Sequence, residues 1–469
     1  MKCVRTCLWL ASTLILAAPR GAQEPVSLGP SAVTVGGAVS PTRSAAVAAN
    51  LISMRNPARI TLNSVTYPRN AGVAPGSIPP TFFGMHMHAD TYSGRNPWPA
   101  VPFGTLRMWD TRTQWMQMNR APGLFDFSQL DKVLSMAAAH NVTDILFTLA
   151  GTPDWAATVR GDTSCRYPAN GPGFCQPPED LNPDGSGPDR HWKEFVAAVA
   201  KHAAGRIKYW EVWNEPSDPR QWKGTFAQLA RMTRDASTII KDIDPGALIT
   251  TPTPVSDAYS FMSKFLKAGG ASAVDVITFH GYGGNGQPPE RVLNKISAIR
   301  EAAAESGISS RPIWDTEGSW GRNVNVPDPD EQAAFLARFY LVQQSAGIAR
   351  FWWYSWNEPL WGTLWDASGI RPAGVAYEQV YHWLVGARSG GPCSREDSVW
   401  SCGLTREPNY RAIAVWDASQ TCSAGECTTS RYIVPPGFVG YRDLAGQTGA
   451  VTPGSPIRIG AKPILLENQ

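Results

Sequence analysis

The chain shows no surplus of charge of either sign: 42 basic residues stand against 39 acidic ones among 469, a formal net of +3. That balance argues against nucleic acid or a membrane surface as the main partner. Beyond the first 22 residues no apolar run is long enough to cross a bilayer, so a soluble protein is expected. Histidine is scarce, seven in all, and none stands with the cysteines, whose spacing is irregular. A zinc site is therefore not expected. What the chain does have is tryptophan, 19 copies. Burial is the ordinary use of so many rings. Stacking on the apolar faces of sugars is the sharper one, since several fall at strand ends and in loops, where packing need is weakest.

Met1 to Ala22 reads as a secretory signal. Lys2 and Arg5 give the positive start, Leu8 to Ala18 the apolar core, and small residues the end. A secreted or periplasmic protein is the expectation. Two of the eight cysteines fall in this segment. The other six come as near neighbours, Cys165 with Cys175, Cys393 with Cys402 and Cys422 with Cys427, and point to three local disulfides. Residues 23–57 are rich in Ala, Ser, Val, Gly and Pro without a period and read as a flexible leader. Residues 58–80 contain an alternating run, Arg59 to Tyr67, expected to join an accessory β-domain.

The informative stretch is Lys-Tyr-Trp-Glu-Val-Trp-Asn-Glu-Pro, Lys208 to Pro216. Its aromatic and β-branched residues form strands, and Pro216 stops the strand. Asn214 and Glu215 are left at its C-terminal tip. A second short apolar run, from Arg311, closes on Glu317 and then Gly318. Three strand–helix repeats of ~30 residues or slightly more would separate the two. Two carboxylates at strand ends can serve as acid/base and nucleophile in glycoside hydrolysis.

These residues resemble the clan A glycoside hydrolases, and the wording around Glu215 is most like glycoside hydrolase family 39. The resemblance implies a (β/α)8 barrel. It implies Glu215 as acid/base on strand four, Asn214 as partner of the sugar 2-hydroxyl, and Glu317 as nucleophile on strand seven. It implies no metal and no organic cofactor. It further implies that Arg107, in Leu-Arg-Met-Trp-Asp110, neighbours the nucleophile and holds it ionised; a rim salt bridge with Asp110 is the alternative. His280 and Tyr282 share one side of strand six and are expected at the site.

Eight strands can be proposed: Thr81–Ala89, Gly104–Asp110, Asp144–Gly151, Ile207–Glu215, Leu248–Pro254, Val274–Tyr282, Pro312–Glu317 and Arg350–Trp356. Helical runs alternate with them, one opening with Ser128 as its cap, which means a parallel sheet and an α/β barrel over residues 81–385. From Gly386 cysteine, glycine and short alternating runs replace the helices, so residues 386–469 read as a smaller β-sandwich. The long loop from Thr152 to Pro188 carries one cysteine pair and is expected to form a rim, with Trp155 lining a subsite.

His86 and His88 repeat the two-residue spacing on strand one. They are expected as sugar-hydroxyl partners or pocket wall. Two inward histidines also suit a metal-dependent amidohydrolase, but strands four, five and eight lack that chemistry's Lys, His and Asp where it needs them. A second Trp-Asn-Glu-Pro follows strand eight; Trp352 and Trp356 are expected as sugar floor and Glu358 as a substrate contact. The function expected is a retaining glycoside hydrolase acting on an oligo- or polysaccharide. The alternatives are a carbohydrate-binding protein on an inactive barrel and, behind it, the amidohydrolase.

Overall fold

A computed structural model of the chain describes residues 76–165, 171–283 and 286–469. The signal, the leader and the run from Arg59 to Tyr67 lie outside the described residues. Eight parallel strands form one sheet: β1 Phe83–His86, β2 Thr105–Met108, β3 Ile145–Leu149, β4 Tyr209–Val212, β5 Leu248–Thr250, β6 Ile277–His280, β7 Ile313–Gly318 and β8 Arg350–Trp353. Apart from β5 and β6, each pairs with its neighbour in sequence, and β1 pairs β8. A parallel bridge between Thr250 and Val276 spans the remaining gap between β5 and β6. The sheet is a (β/α)8 barrel; seven strands are shorter than their expected spans, and β7 keeps its length but runs one residue later.

Seven longer helices cover the outside: α1 Ser128–Ala139, α2 Arg190–Ala203, α3 Phe226–Ile243, α4 Ala258–Phe265, α5 Val292–Glu305, α6 Pro329–Ser345 and α7 Pro372–Leu384. Their apolar faces pack on the strands, as Trp192, Phe195, Val196 and Val199 of α2 show, all fully buried. Ser128 does not cap α1. It is the first helical residue, and its backbone N–H donates to Asp126 Oδ1 at 3.0 Å, so the acid two residues earlier takes the capping role. Sequence reasoning did not propose α4 and α7.

Low in the barrel, Leu146, Val276, Trp314 and Trp352 form a separate apolar cluster. Trp352 lies directly on β1: a Cβ at Gly84 would come within 2.3 Å of its ring, so only glycine fits there. The carboxyl-terminal part is antiparallel. Val399–Arg406 pairs Tyr410–Asp417, which pairs Ile464–Glu467, and a second sheet joins Thr429–Ile433 to Pro456–Gly460. The cysteines pair as expected, 165 with 175, 393 with 402 and 422 with 427.

Candidate active site

The residues at the barrel's C-terminal mouth are organised by one buried cation. Arg107, at the end of β2, is fully buried. Its Nε donates to Glu211 Oε2 at 2.8 Å and its Nη2 to the same oxygen at 2.5 Å. Nη2 also reaches Asn214 Oδ1 at 2.7 Å, and Nη1 reaches Glu317 Oε2 at 2.8 Å. Its partners are thus two glutamates, not the rim Asp110. Glu211 is buried too. Thr148, Thr253 and Thr316 donate their hydroxyls to it at 2.8, 2.6 and 2.9 Å. Burial alone would lift the Glu211 carboxyl; Arg107, then His280 and the hydroxyls outweigh that and hold it below the ordinary value. A buried charge needs this many partners.

Local backbone irregularity brings the functional side chains inward. Glu211 and Asn214 both touch Arg107 although they are three apart, which a regular strand with its two-residue period forbids. Trp213 solves this by adopting φ +68°, in the left-handed region, and Glu215 follows at φ +48°. Such conformations cost about 1–3 kcal/mol each and need surrounding structure to hold them. Here Trp213 is buried against Trp222, and its Nε1 donates to the Gln221 carbonyl at 2.7 Å. On β7 the register shifts between Asp315 and Gly318. Thr316 and Glu317 are adjacent, yet one reaches Glu211 and the other Arg107, while Asp315 accepts the Gly281 N–H at 2.9 Å. A bulge of this kind re-aims a side chain.

Glu215 and Glu317 meet across His280. His280 Nδ1 lies 3.1 Å from Glu215 Oε1, and its Nε2 lies 3.8 Å from Glu317 Oε2. One ligating atom from each of the three residues falls within 4.8 Å of the others. Tyr282 donates its hydroxyl to Glu317 Oε1 at 2.5 Å, and Gln221 Nε2 lies 3.4 Å from Glu215 Oε2. Burial raises the Glu317 carboxyl above its ordinary value; His280 and Arg107 pull it down, and Glu215 pushes it up. Burial, with Glu317 next, lifts the Tyr282 phenol far above its ordinary value, so it remains a donor.

The other expected residues fall into two groups. His86 is buried, with Nε2 at 2.9 Å from the Thr316 carbonyl. Burial, then Arg107, pushes it well below the usual imidazole range, so it is neutral with its proton on Nε2. His88 sits at the rim, Nε2 3.1 Å from the Tyr354 hydroxyl and 3.7 Å from Asp110 Oδ2. Glu358 is half-buried beside them; burial raises its carboxyl against the Leu360 N–H and His88. Trp352, Trp356 and Trp155 depart from expectation. Trp352 is enclosed in the barrel interior and has no face open to a sugar. Trp356 is also fully buried, stacked on Trp365. Trp155 is turned onto the segment that follows β2, Nε1 donating to the Asn119 carbonyl at 2.9 Å. Trp361 instead stands at the mouth, its ring 5.7 Å from that of Tyr282.

Neither His86 of β1 nor His88 just beyond it joins a cluster that could hold a metal among the described residues. The two clusters that exist are poor fits. Cys165 and Cys175, beside Asp162, are tied to each other. At Glu215, His280 and Glu317 the Arg107 guanidinium already occupies Glu317. The disulfide loop bears on the acid side of the site. Lys223, just past Gln221 and Trp222, donates its backbone N–H to the Cys175 carbonyl at 2.8 Å and its Nζ to Asp162 at 2.7 Å.

Residues 186–377, which span β4 to α7 and both glutamates, match the family model described as the glycosyl hydrolase catalytic core. Over that stretch the chain is similar to a glycosyl hydrolase core. No curated protein matches it in sequence. Among solved structures it is similar to a family 39 glycoside hydrolase from Bacteroides cellulosilyticus, at 16% identity and TM-score 0.60 over 83% of this chain and 80% of that one. It is similar to a monomeric beta-xylosidase from Caulobacter crescentus, at 16% identity and TM-score 0.56 over 84% and 97%. It is also similar to a family 51 arabinofuranosidase from Xanthomonas axonopodis pv. citri, at 11% identity and TM-score 0.52 over 84% and 98%. At these identities the likeness is one of fold. The structures whose fold it shares include family 39 and family 51 glycoside hydrolases.

Proposed function

We propose that the protein is a retaining glycosidase that cleaves O-glycosidic bonds of an oligo- or polysaccharide by double displacement. The observation that supports this is the meeting of Glu215 and Glu317, with carboxylate oxygens within 4.8 Å. Retaining pairs stand about 5–5.5 Å apart, whereas inverting pairs, which must admit a water, stand about 6.5–9.5 Å apart. Both groups sit at the C-terminal ends of barrel strands, where barrel enzymes do their chemistry. The likeness of the core to clan A enzymes, which retain configuration, agrees.

The roles follow from the neighbours. Glu317 receives the Arg107 guanidinium and the Tyr282 hydroxyl, which both favour its carboxylate form. It attacks the anomeric carbon and forms the glycosyl–enzyme bond. Glu215 stands beside that negative charge, which favours its protonated form. It gives its proton to the leaving oxygen. In the second step it takes a proton from water, and the hydroxide breaks the bond to Glu317. Arg107 fixes Asn214 Oδ1, which directs the amide nitrogen away from the cation and toward the sugar 2-hydroxyl. No step requires a metal or an organic cofactor. The signal-like Met1 to Ala22 and three disulfides support a secreted or periplasmic location.

Glu317→Ala tests the reading. It should lower kcat/KM by about three orders of magnitude or more, with activity partly restored by azide. Proton NMR of the first product should show the substrate's own anomeric configuration. An inverted product would sink the double displacement.

A further inference from the structure

We infer that the reactive subsite takes an uncharged, hydroxyl-rich sugar and turns away uronates. The inference rests on the glycosidase reading and narrows its substrate class. Its basis is an arc of side chains that runs from the nucleophile round the mouth of the barrel. Tyr282, on Glu317, has its ring 6.3 Å from that of Tyr354. The Tyr354 hydroxyl is 3.1 Å from His88 Nε2, and His88 Nε2 is 3.7 Å from Asp110 Oδ2. The His88 backbone N–H donates to Asn357 Oδ1 at 3.0 Å, and Glu358 is the next residue. The field of Asp110 reaches Glu317, Arg107 and Glu358. Two carboxylates beyond the catalytic pair therefore stand on this arc, Asp110 acting on Glu317 and on Glu358.

The cations on the other side of the balance are already committed. Arg107 is fully buried, and its Nε, Nη1 and Nη2 are shared among Glu211, Glu317 and Asn214. His86 is held neutral. His280 lies between the two catalytic carboxylates. His88 is paired with Asp110. A sugar carboxylate here would add a like charge beside Asp110 and Glu358, with no uncommitted cation on this arc among the described residues, and would lose its hydration. A sugar hydroxyl meets the opposite situation. Asp110 Oδ2 is buried and accepts no hydrogen bond from the protein among the described residues. An ionised carboxylate is acceptor only, so it asks for an O–H donor, and a neutral sugar supplies one at every ring carbon that carries a hydroxyl.

The test uses matched substrates that differ only in that charge. One pair is the para-nitrophenyl β-D-glucoside and β-D-glucuronide. The other is an acidic polysaccharide before and after its carboxyl groups are reduced to alcohols, which serves an enzyme that cuts within chains. Neutral members should be cleaved with kcat/KM higher by about tenfold or more. Asp110→Asn and Glu358→Gln should each narrow that ratio; the wild-type comparison stands by itself if a variant does not fold. Equal or faster cleavage of the acidic members would overturn the inference and turn attention to Arg322, which is exposed and whose backbone pairs with Trp361. Turnover of no glycoside in a broad panel, with no label trapped from fluorinated glycosides, would instead refute the glycosidase reading itself.

Discussion

Glu317 must be ionised to act as the proposed nucleophile, yet its setting resists ionisation. Burial raises its carboxyl, and Glu215 adds to the effect. Arg107 and Tyr282 are the donors that counter this, at 2.8 and 2.5 Å. Tyr282→Phe removes one donor to the charged form and nothing else of that size. The sign is fixed: a lost donor to the carboxylate raises its pKa, so the acidic limb of kcat/KM against pH should move to higher pH. The maximum should fall by about tenfold to a hundredfold. A lower maximum on an unmoved limb would mean that Tyr282 only shapes the pocket. Glu215, Glu317, Arg107 and His280 were legible as candidates because each sits in a short motif at a strand end. Glu211 was not, although it stands in the same stretch. A signal was available: an acid between Tyr-Trp and Val-Trp in a strand buried on both faces must have charged partners. Asp110 was read only as an alternative partner for Arg107.

At the scale of the element, sequence periodicity reveals where a strand is but not where it breaks. The left-handed Trp213 on β4 and the bulge on β7 decide which side chains enter the site, and neither involves glycine at the turning residue. Ser128 shows the same limit, since Asp126 and Ser128 are both good caps and only geometry chooses. The start of α2 offers a measurable case. Asp189 precedes the helix at φ +48° and makes no capping bond, while Asp180 Oδ2 accepts the Arg190 N–H at 2.7 Å. Burial pushes the Asp189 carboxyl up to about 9, with Asp235 and Asp180 adding to it and Arg231 opposing. In the unfolded chain the group titrates near its ordinary value of about 3.9. Between those values the folded protein holds a proton that the unfolded chain has released, so this group's contribution to stability falls as pH rises through that window. Asn keeps the shape and tolerates the left-handed backbone. Asp189→Asn should therefore unfold at a higher temperature than wild type at pH ~8 and show a flatter dependence above pH ~4. Parallel curves for the two proteins would contradict the assignment.

For the molecule as a whole, the alternation of strands with helical runs was enough to give the barrel, and the change of composition after Gly386 marked the antiparallel part. The packing between them was not legible, because it depends on residues far apart in sequence. Glu290, just before α5, accepts two bonds from Arg338 of α6, each 2.7 Å, and a third from Trp416 Nε1 at 2.9 Å. Both charged side chains are more than nine-tenths buried. Trp416 belongs to the antiparallel sheet and stacks on Trp400 at 5.9 Å. Glu331 and Asp330, at the start of α6, add contacts to the Cys422 N–H and to Lys462. One buried acid thus joins two barrel elements to the second sheet. Removing one member of a buried pair leaves the other charge uncompensated, at a cost of about 3–5 kcal/mol. Glu290→Ala should lower the denaturant midpoint accordingly, while kcat below the unfolding range stays near that of wild type, because Glu290 makes no contact with the catalytic residues. If the junction is as tight as its geometry implies, wild type should unfold in one calorimetric transition, and the loss of Glu290 should shift that transition or divide it in two. Two independent transitions in the wild type, with the upper one indifferent to Glu290, would mean that the antiparallel sheet is carried beside the barrel and does not stabilise it.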